Sequence, residues 1–174
     1  MTEGTEGTEG TEGTGGTPEA PHQRAAARAV VLEPEGRVLL IWHLTEDGFG
    51  WWATPGGGID DGESPEVAAR REAVEETGIT EFELGPAIWR RVIEFPFRGA
   101  WYRQSEIFFL ARVPRFVAVL TGDPSPSAGL LREHRWWSAD EIAASADRFA
   151  PRRLAGLLEL LLREGPPAEP LDVD

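Results

Sequence analysis

The chain contains no cysteine and no lysine, and it has little positive charge. Without cysteine, disulfide bonds and thiol catalysis are excluded, and a reducing compartment is compatible. All 17 basic residues are arginine and the formal net charge is −13, a balance that argues against binding the phosphate backbone of nucleic acids. A small nucleotide is still allowed, because a bound cation locally reverses the electric field.

Long hydrophobic segments are also absent. No apolar run approaches the roughly 18 residues that a membrane helix needs, and the N-terminus lacks the apolar centre of a signal peptide. We therefore expect a soluble, cytoplasmic protein with no membrane partner.

The composition divides the chain into three parts. Thr-Glu-Gly recurs four times near the N-terminus, with no apolar residue able to pack, which is typical of disordered chains. We expect a disordered tail over residues 1–23. Residues 24–165 have the length of one domain, and a flexible C-terminal tail is expected over residues 166–174.

One stretch, which begins at Gly57 and ends at Ile79, combines several chemically informative residues. Gly57 is followed after five residues by Glu63, and residues 71–79 read Arg-Glu-Ala-Val-Glu-Glu-Thr-Gly-Ile. Residues 51–54 read as a short strand, which glycine-rich residues 55–58 end with turn conformations closed to other residues. The sequence therefore predicts a strand followed by a bare backbone loop.

A helix of about 13 residues is predicted after this loop. Ser64 reads as its N-cap, followed by proline at the first helical position, and Gly78 as its C-terminal stop. Val67 and Val74 point away from the acidic side of this helix, so we expect them to pack against a sheet.

Three carboxylates, those of Glu72, Glu75 and Glu76, fall within an arc of about 100° on the predicted helix. Like charges four residues apart destabilise a helix by roughly 0.2–0.5 kcal/mol, so a compensating partner is expected. Clustered carboxylates near a backbone carbonyl are the ligands that Mg²⁺ or Mn²⁺ takes. Arg71 can pair with Glu75 or Glu63, which predicts an orienting role rather than substrate binding.

A solvated acidic surface helix would explain the glutamates alone. Such a helix has no need of glycines at a fixed distance before it, whereas a metal and diphosphate site needs close backbone approach. The combination favours the metal site.

The whole pattern resembles the complete signature of the Nudix hydrolases. Only Ala73 departs mildly, being smaller than the Ile, Leu or Val most often found there. The resemblance implies an α/β fold, an α/β/α sandwich with a central mixed β-sheet. It also implies divalent-metal-dependent hydrolysis, with Mg²⁺ or Mn²⁺, of a nucleoside diphosphate linked to another moiety.

The resemblance further implies which residues carry the reaction. The implied metal ligands are the carbonyl of Gly57 and the carboxylates of Glu72, Glu75 and Glu76. The implied supporting residues are Glu63 and Arg71.

The resemblance also implies that the general base is either Glu72 or a glutamate from a later loop. Glu133 is the leading loop candidate, because it lies between a Pro/Ser/Gly-rich stretch and an apolar strand, where similar family members place a catalytic or metal-binding glutamate. Glu106 and Glu94 compete with it.

Further elements are predicted around this helix. The predicted strands cover residues 28–33, 37–44, 87–95, 101–113 and 135–137, the first two joined as a hairpin. Ser138 and Glu141 form a capping box for a second helix, and leucines from Leu154 to Leu161 predict a final amphipathic helix ending near Gly165.

The substrate stays open at the level of sequence. Nucleoside triphosphates, ADP-ribose or other nucleotide sugars, and dinucleoside polyphosphates all fit. We expect a small-molecule nucleotide diphosphate derivative as partner and no nucleic acid, with a homodimer left open. The alternatives are a nucleotide-sugar sensor that does not cleave its ligand and a hydrolase of a non-nucleotide diphosphate.

Overall fold

A computed structural model describes residues 20–45, 48–97, 99–114 and 133–173. In these ranges the strands are β1 (His22–Leu32), β2 (Val38–Leu44), β3 (Gly50–Ala53), β4 (Gly56–Gly58), β5 (Glu83–Phe97), β6 (Ala100–Arg112), β7 (His134–Trp137), β8 (Phe149–Ala150) and β9 (Leu171–Asp172). The helices are α1 (Pro65–Thr77), α2 (Ala139–Ala144) and α3 (Leu154–Glu164). None of the helices in these ranges is both long and apolar enough to cross a membrane.

The strands form one mixed sheet in the order β8-β3-β2-β1-β6-β5-β9, and β4 and β7 pair at the side of this path with β1 and β2. The central strand β1 runs parallel to β6 along its whole length and antiparallel to β4. Because β1 borders both β4 and β6, it links the glycine-rich segment to the long hairpin of β5 and β6.

The sheet is covered by helices on both faces. Side chains alternate between the faces of a strand, and β1 accordingly places Ala29 and Val31 in one apolar cluster with Ala73 of α1. It places Val30 in another cluster with Leu158 of α3. The predicted α/β/α layering is therefore confirmed.

Both ends of α1 are as predicted. Ser64 accepts a hydrogen bond from the backbone N–H of Val67 through its Oγ, at 3.3 Å. Gly78 ends the helix in the left-handed conformation, with φ of 71°, which costs glycine little because it lacks a Cβ. The capping box of Ser138 and Glu141 on α2 is also confirmed.

The predicted packing face of α1 is wrong. Val67 is 56% exposed, and Val74 is only half-buried. The face that meets the sheet consists of small residues and the polar end of the helix, namely Ala68, Ala69, Ala73, Glu76 and Thr77. Small side chains let the helix axis lie close to the sheet, and this close approach brings Glu72 and Glu76 to the backbone of β4.

Both ends of the predicted domain differ from the structure. The predicted N-terminal tail falls mostly on residues 1–19, outside the described residues, while its last residues already belong to β1, which starts at His22. Within residues 166–174, where a flexible C-terminal tail is expected, Leu171 and Asp172 form β9, which pairs in parallel with β5. Arg90 of β5 also binds both carboxylate oxygens of Asp172, at 2.8 and 2.9 Å.

Enlarging a buried alanine of α1 should therefore destabilise the protein more than enlarging the exposed valine. Ala69 is fully buried, so Ala69→Leu should lower the free energy of unfolding by about 1–3 kcal/mol through overpacking. Val67→Leu is the matched control and should be close to neutral. Urea denaturation of both variants measures the difference, and equal losses would contradict the observed packing face.

Candidate active site

The glycine loop between β3 and α1 lies in close contact with atoms of neighbouring residues. Gly56 has φ of 152°, and a Cβ at this residue would lie 2.5 Å from the carbonyl oxygen of Ala27. A Cβ at Gly57 would lie 2.4 Å from Oε1 of Glu72. Because real Cβ atoms do not come so close to other atoms, a larger residue at Gly57 would displace the Glu72 carboxylate.

Two of the three glutamates on the acidic face of α1 lie against this loop. The backbone N–H of Gly56 donates a hydrogen bond of 2.8 Å to Oε2 of Glu76, whose side chain is almost completely buried. Glu72 meets Gly57 directly, whereas the side chain of Glu75 is 58% exposed. The structure thus separates the predicted acidic face into two loop-facing carboxylates and one that faces solvent.

Arg71 connects the start of the helix to its acidic face. Its guanidinium donates two hydrogen bonds to Glu63, at 2.9 and 2.8 Å, and one to the carbonyl of Gly58 at 3.0 Å. It also reaches Glu72 at 2.9 Å and Glu75 at 3.3 Å. Arg71 therefore pairs with both partners considered from the sequence, and with Glu72 as well.

These contacts act on the charges of the site. The hydrogen bonds from Arg71, followed by the backbone N–H of Asp60, lower the pKa of Glu63 to about 2. Burial raises the pKa of Glu72, opposed by Arg71 and assisted by the negative charge of Glu76. Glu63 is therefore a fixed anion that holds Arg71, while Glu72 is a carboxylate that gains from a nearby cation.

The donor set fits a hard divalent cation in its chemistry. The carboxylates of Glu72, Glu75 and Glu76 and the carbonyl of Gly57 offer only oxygen ligands, the type that Mg²⁺ and Mn²⁺ prefer. The absence of a Cβ at Gly57 keeps the space beside Glu72 open. Over the described residues, no three acidic or histidine side chains converge into a metal-binding group.

Glu133 immediately precedes β7, and its neighbour His134 contacts α1. The carbonyl of Glu133 accepts a hydrogen bond of 2.8 Å from the N–H of Trp42, and His134 contacts the carbonyl of Glu76 through Nε2 at 2.7 Å. The Glu133 side chain is exposed. Within the described part of the chain, its carboxylate makes no hydrogen bond or ion pair.

The two competing glutamates have other partners. Glu106 is buried and accepts hydrogen bonds from Arg28, Arg91 and Gln104. Burial opposes its ionisation, but the two guanidinium groups outweigh this and lower its pKa to about 2. A carboxylate with so low a pKa and three donors is a poor proton acceptor.

Glu94 is also engaged, through a hydrogen bond of 3.0 Å from Arg103 on the neighbouring strand. Both side chains are half exposed, so this is an ordinary surface ion pair.

Sequence reasoning missed Arg28. Its Nη1 donates to the carbonyl of Thr54 at 3.1 Å and to that of Gly56 at 3.4 Å, the two residues that flank Pro55 at the start of the loop. The available signal was a single charge inside the apolar run of residues 25–32. A charge at the centre of a buried strand requires a partner, and this residue had been placed only in a predicted strand.

Comparison with known proteins agrees with the geometry. The first relative is an RNA pyrophosphohydrolase of Caulobacter vibrioides, 45% identical over 64 residues, or 37% of this chain and 37% of that protein. The match therefore spans just over a third of that relative. An RNA pyrophosphohydrolase of Wolbachia pipientis is 26% identical over 143 residues, covering 75% of this chain and 84% of its own.

Solved structures share the fold. An Ap4A hydrolase of C. elegans has a TM-score of 0.59 at 21% identity, over 80% of this chain and 98% of its own. A MutT protein from Methanosarcina mazei has a TM-score of 0.55 at 23% identity, over 85% of this chain and 98% of its own. The NUDIX domain family model matches residues 22–158. Since this match covers well over half of the sequence, the chain belongs to the Nudix family.

Proposed function

We propose that this chain is a divalent-metal-dependent hydrolase that cleaves the diphosphate linkage of a nucleoside diphosphate linked to another moiety. The observation that carries the proposal is the contact between the glycine loop and the acidic face of α1. Gly56 donates its N–H to Glu76, and Gly57 leaves space only for the carboxylate of Glu72. A helix that merely faced solvent would need neither contact.

The roles of the residues follow from their positions. The carbonyl of Gly57 and the carboxylates of Glu72, Glu75 and Glu76 would hold Mg²⁺ or Mn²⁺. When bound, such a cation supplies charge neutralisation of the diphosphate and a lowered pKa of water. Arg71 orients Glu72 while Glu63 fixes Arg71, so this pair acts by geometry.

The general base is Glu72 or Glu133. Glu72 is held between Gly57 and Arg71, whereas Glu133 is exposed and immediately precedes β7. We favour Glu133, because its carboxylate is not committed to any of the described residues and can take a proton from attacking water.

The substrate is defined here by its diphosphate. Several relatives are named RNA pyrophosphohydrolase, so a 5′-triphosphorylated RNA belongs among the compounds to test, although the acidic composition argues against broad nucleic-acid binding. The absence of a nucleic-acid partner therefore stays a prediction.

The test is the release of phosphate-containing products from a panel of compounds. The panel holds nucleoside triphosphates, ADP-ribose, other nucleotide sugars, NADH, dinucleoside polyphosphates and 5′-triphosphorylated RNA, each with Mg²⁺, Mn²⁺ or EDTA. Cleavage that requires the metal supports the proposal and identifies the substrate class. Binding of a nucleotide sugar, seen as a higher melting temperature, without cleavage of any compound would instead favour the sensor alternative.

The metal role of Glu76 is testable by a change that keeps its hydrogen bond. In Glu76→Gln the amide oxygen can still accept the N–H of Gly56, while the charge that a cation needs is gone. Mutation of an outer-shell partner of a metal ligand already costs about 10–100-fold in activity, so we expect loss of a ligand charge to lower kcat by at least that factor, with little change in melting temperature. The control is Glu66→Gln, an exposed glutamate in the first turn of the same helix. Near-normal turnover of a folded Glu76→Gln protein would sink the metal assignment.

The role of Glu133 is tested separately. General-base catalysis is worth about 100-fold or more, so Glu133→Gln should lower kcat by that factor and leave KM nearly unchanged. Glu94→Gln, which alters the surface pair with Arg103, is the control. A loss in kcat below about tenfold would assign the base to Glu72 instead.

A further inference from the structure

A buried ionic cluster lies beneath the glycine loop, on strands outside the loop and α1. It contains Arg28 of β1, Arg91 of β5, and Glu106 and Gln104 of β6. The side chain of Glu106 has 0% exposure, those of Arg28 and Arg91 have 13% and 7%. Two guanidinium groups thus share one carboxylate in the interior.

A cluster of this kind is poorly explained by stability alone. The desolvation cost of buried charges can exceed the attraction between them, and apolar residues of similar volume often serve as well. Apolar residues of the same strands, Val30, Phe108 and Trp89, lie in one core cluster.

Arg28 leads from this cluster to the loop. Its Nε binds Glu106 at 2.8 Å, while its Nη1 donates to the carbonyls of Thr54 and Gly56 at 3.1 and 3.4 Å. The loop also packs on the stem of this side chain, because a Cβ at Gly56 would lie 2.5 Å from Cγ of Arg28. The guanidinium of Arg28, which is fixed by Glu106, therefore holds the loop by hydrogen bonds to its carbonyls.

The same loop also contacts two carboxylates on the acidic face of α1. The carbonyl of Gly56 accepts from Arg28, and the N–H of the same residue donates to Glu76. One residue later, Gly57 contacts Glu72. Glu76 and Glu72 both help to raise the pKa of Arg28 against the effect of burial, together with Glu106, so its charge also offsets the repulsion between these two carboxylates.

We propose that Arg28, anchored by the buried carboxylate of Glu106, is a positioning residue of the hydrolytic site that sets the placement of Glu72 and Glu76 through the Thr54–Gly56 backbone. This inference rests on the proposed function for its catalytic meaning. The placement itself is a property of the folded chain, so it can be measured without turnover.

The chain offers a matched pair of variants. Arg28→Met and Arg91→Met each remove one of the two guanidinium partners of Glu106 and leave the other. Arg91 lies on β5, which is separated from β1 by β6 in the sheet order. The two variants therefore share the damage to the buried ion cluster, and Arg28→Met also removes the hydrogen bonds to the carbonyls of Thr54 and Gly56.

The first measurement is the Mn²⁺ affinity of the full chain, which is monitored through the electron paramagnetic resonance signal of free Mn²⁺. Loss of a residue that positions metal ligands commonly costs about 10–100-fold in metal affinity, so the dissociation constant of Arg28→Met should be about tenfold or more above that of Arg91→Met. The second measurement is hydrogen exchange of the Gly56 amide, which should be faster in Arg28→Met than in Arg91→Met. Arg28→Lys keeps the charge but not the forked geometry, and should lie between Arg28→Met and the unaltered chain.

Each outcome decides the proposal. Equal Mn²⁺ affinity and equal Gly56 exchange in the two methionine variants would overturn it and leave Arg28 a structural ion pair. Tighter Mn²⁺ binding by Arg28→Met would also overturn it, because removal of a repelling charge would then be the whole effect. If Arg28→Met does not fold, Arg28→Lys is compared with Arg91→Met instead. A Gly56 amide that exchanges no faster in Arg28→Lys than in Arg91→Met would then refute the positioning role of Arg28. A chain that cleaves no compound but shows these differences would fail only the proposed function.

Discussion

The structure of the site depends on the contact between the glycine backbone at residues 56 and 57 and the carboxylates of Glu72 and Glu76. Gly56 donates its N–H to Glu76, and the carboxylate of Glu72 leaves no room for a Cβ at Gly57. For this contact to form, α1 must lie close to β1 and β4, which explains why alanines rather than valines line its inner face. An unpaired carboxylate near the sheet would be costly, so the N–H of Gly56 is part of what makes a buried Glu76 acceptable.

Positive charge is arranged around the two loop-facing carboxylates from two directions. Arg71 lies beside them on α1 and is held by Glu63, a carboxylate whose pKa is lowered to about 2. Arg28 lies beneath them on the sheet and is held by Glu106. Both arginines also bind loop carbonyls, those of Gly58 and Gly56. Each arginine thus combines charge compensation with a fixed backbone position, for which a forked guanidinium suits better than an ammonium group.

The local elements of this site could be predicted from the sequence, because their signals lie close together in the chain. Ser64 and Gly78 act within a few residues of their partners. The inner face of α1 could not be predicted from hydrophobicity, since it is set by the distance between helix and sheet, and Ala68 and Ala69 have little hydrophobic signal. The network around Glu106 joins residues 15 and 78 positions apart, so only the three-dimensional fold brings it together. The strand of Leu171–Asp172 was missed for the same reason, because its partner lies on β5.

We propose that the glycine loop and the acidic face of α1 form one cation site. Adding Mn²⁺ to the ¹⁵N-labelled chain and following the paramagnetic broadening of backbone amide signals tests this site directly. We expect broadening to begin at Gly56–Gly58 and along the second half of α1, around Glu72 and Glu76, while the amides of Arg90 and Asp172 keep sharp signals. Broadening that spared the glycine loop, or that began in another part of the chain, would contradict it.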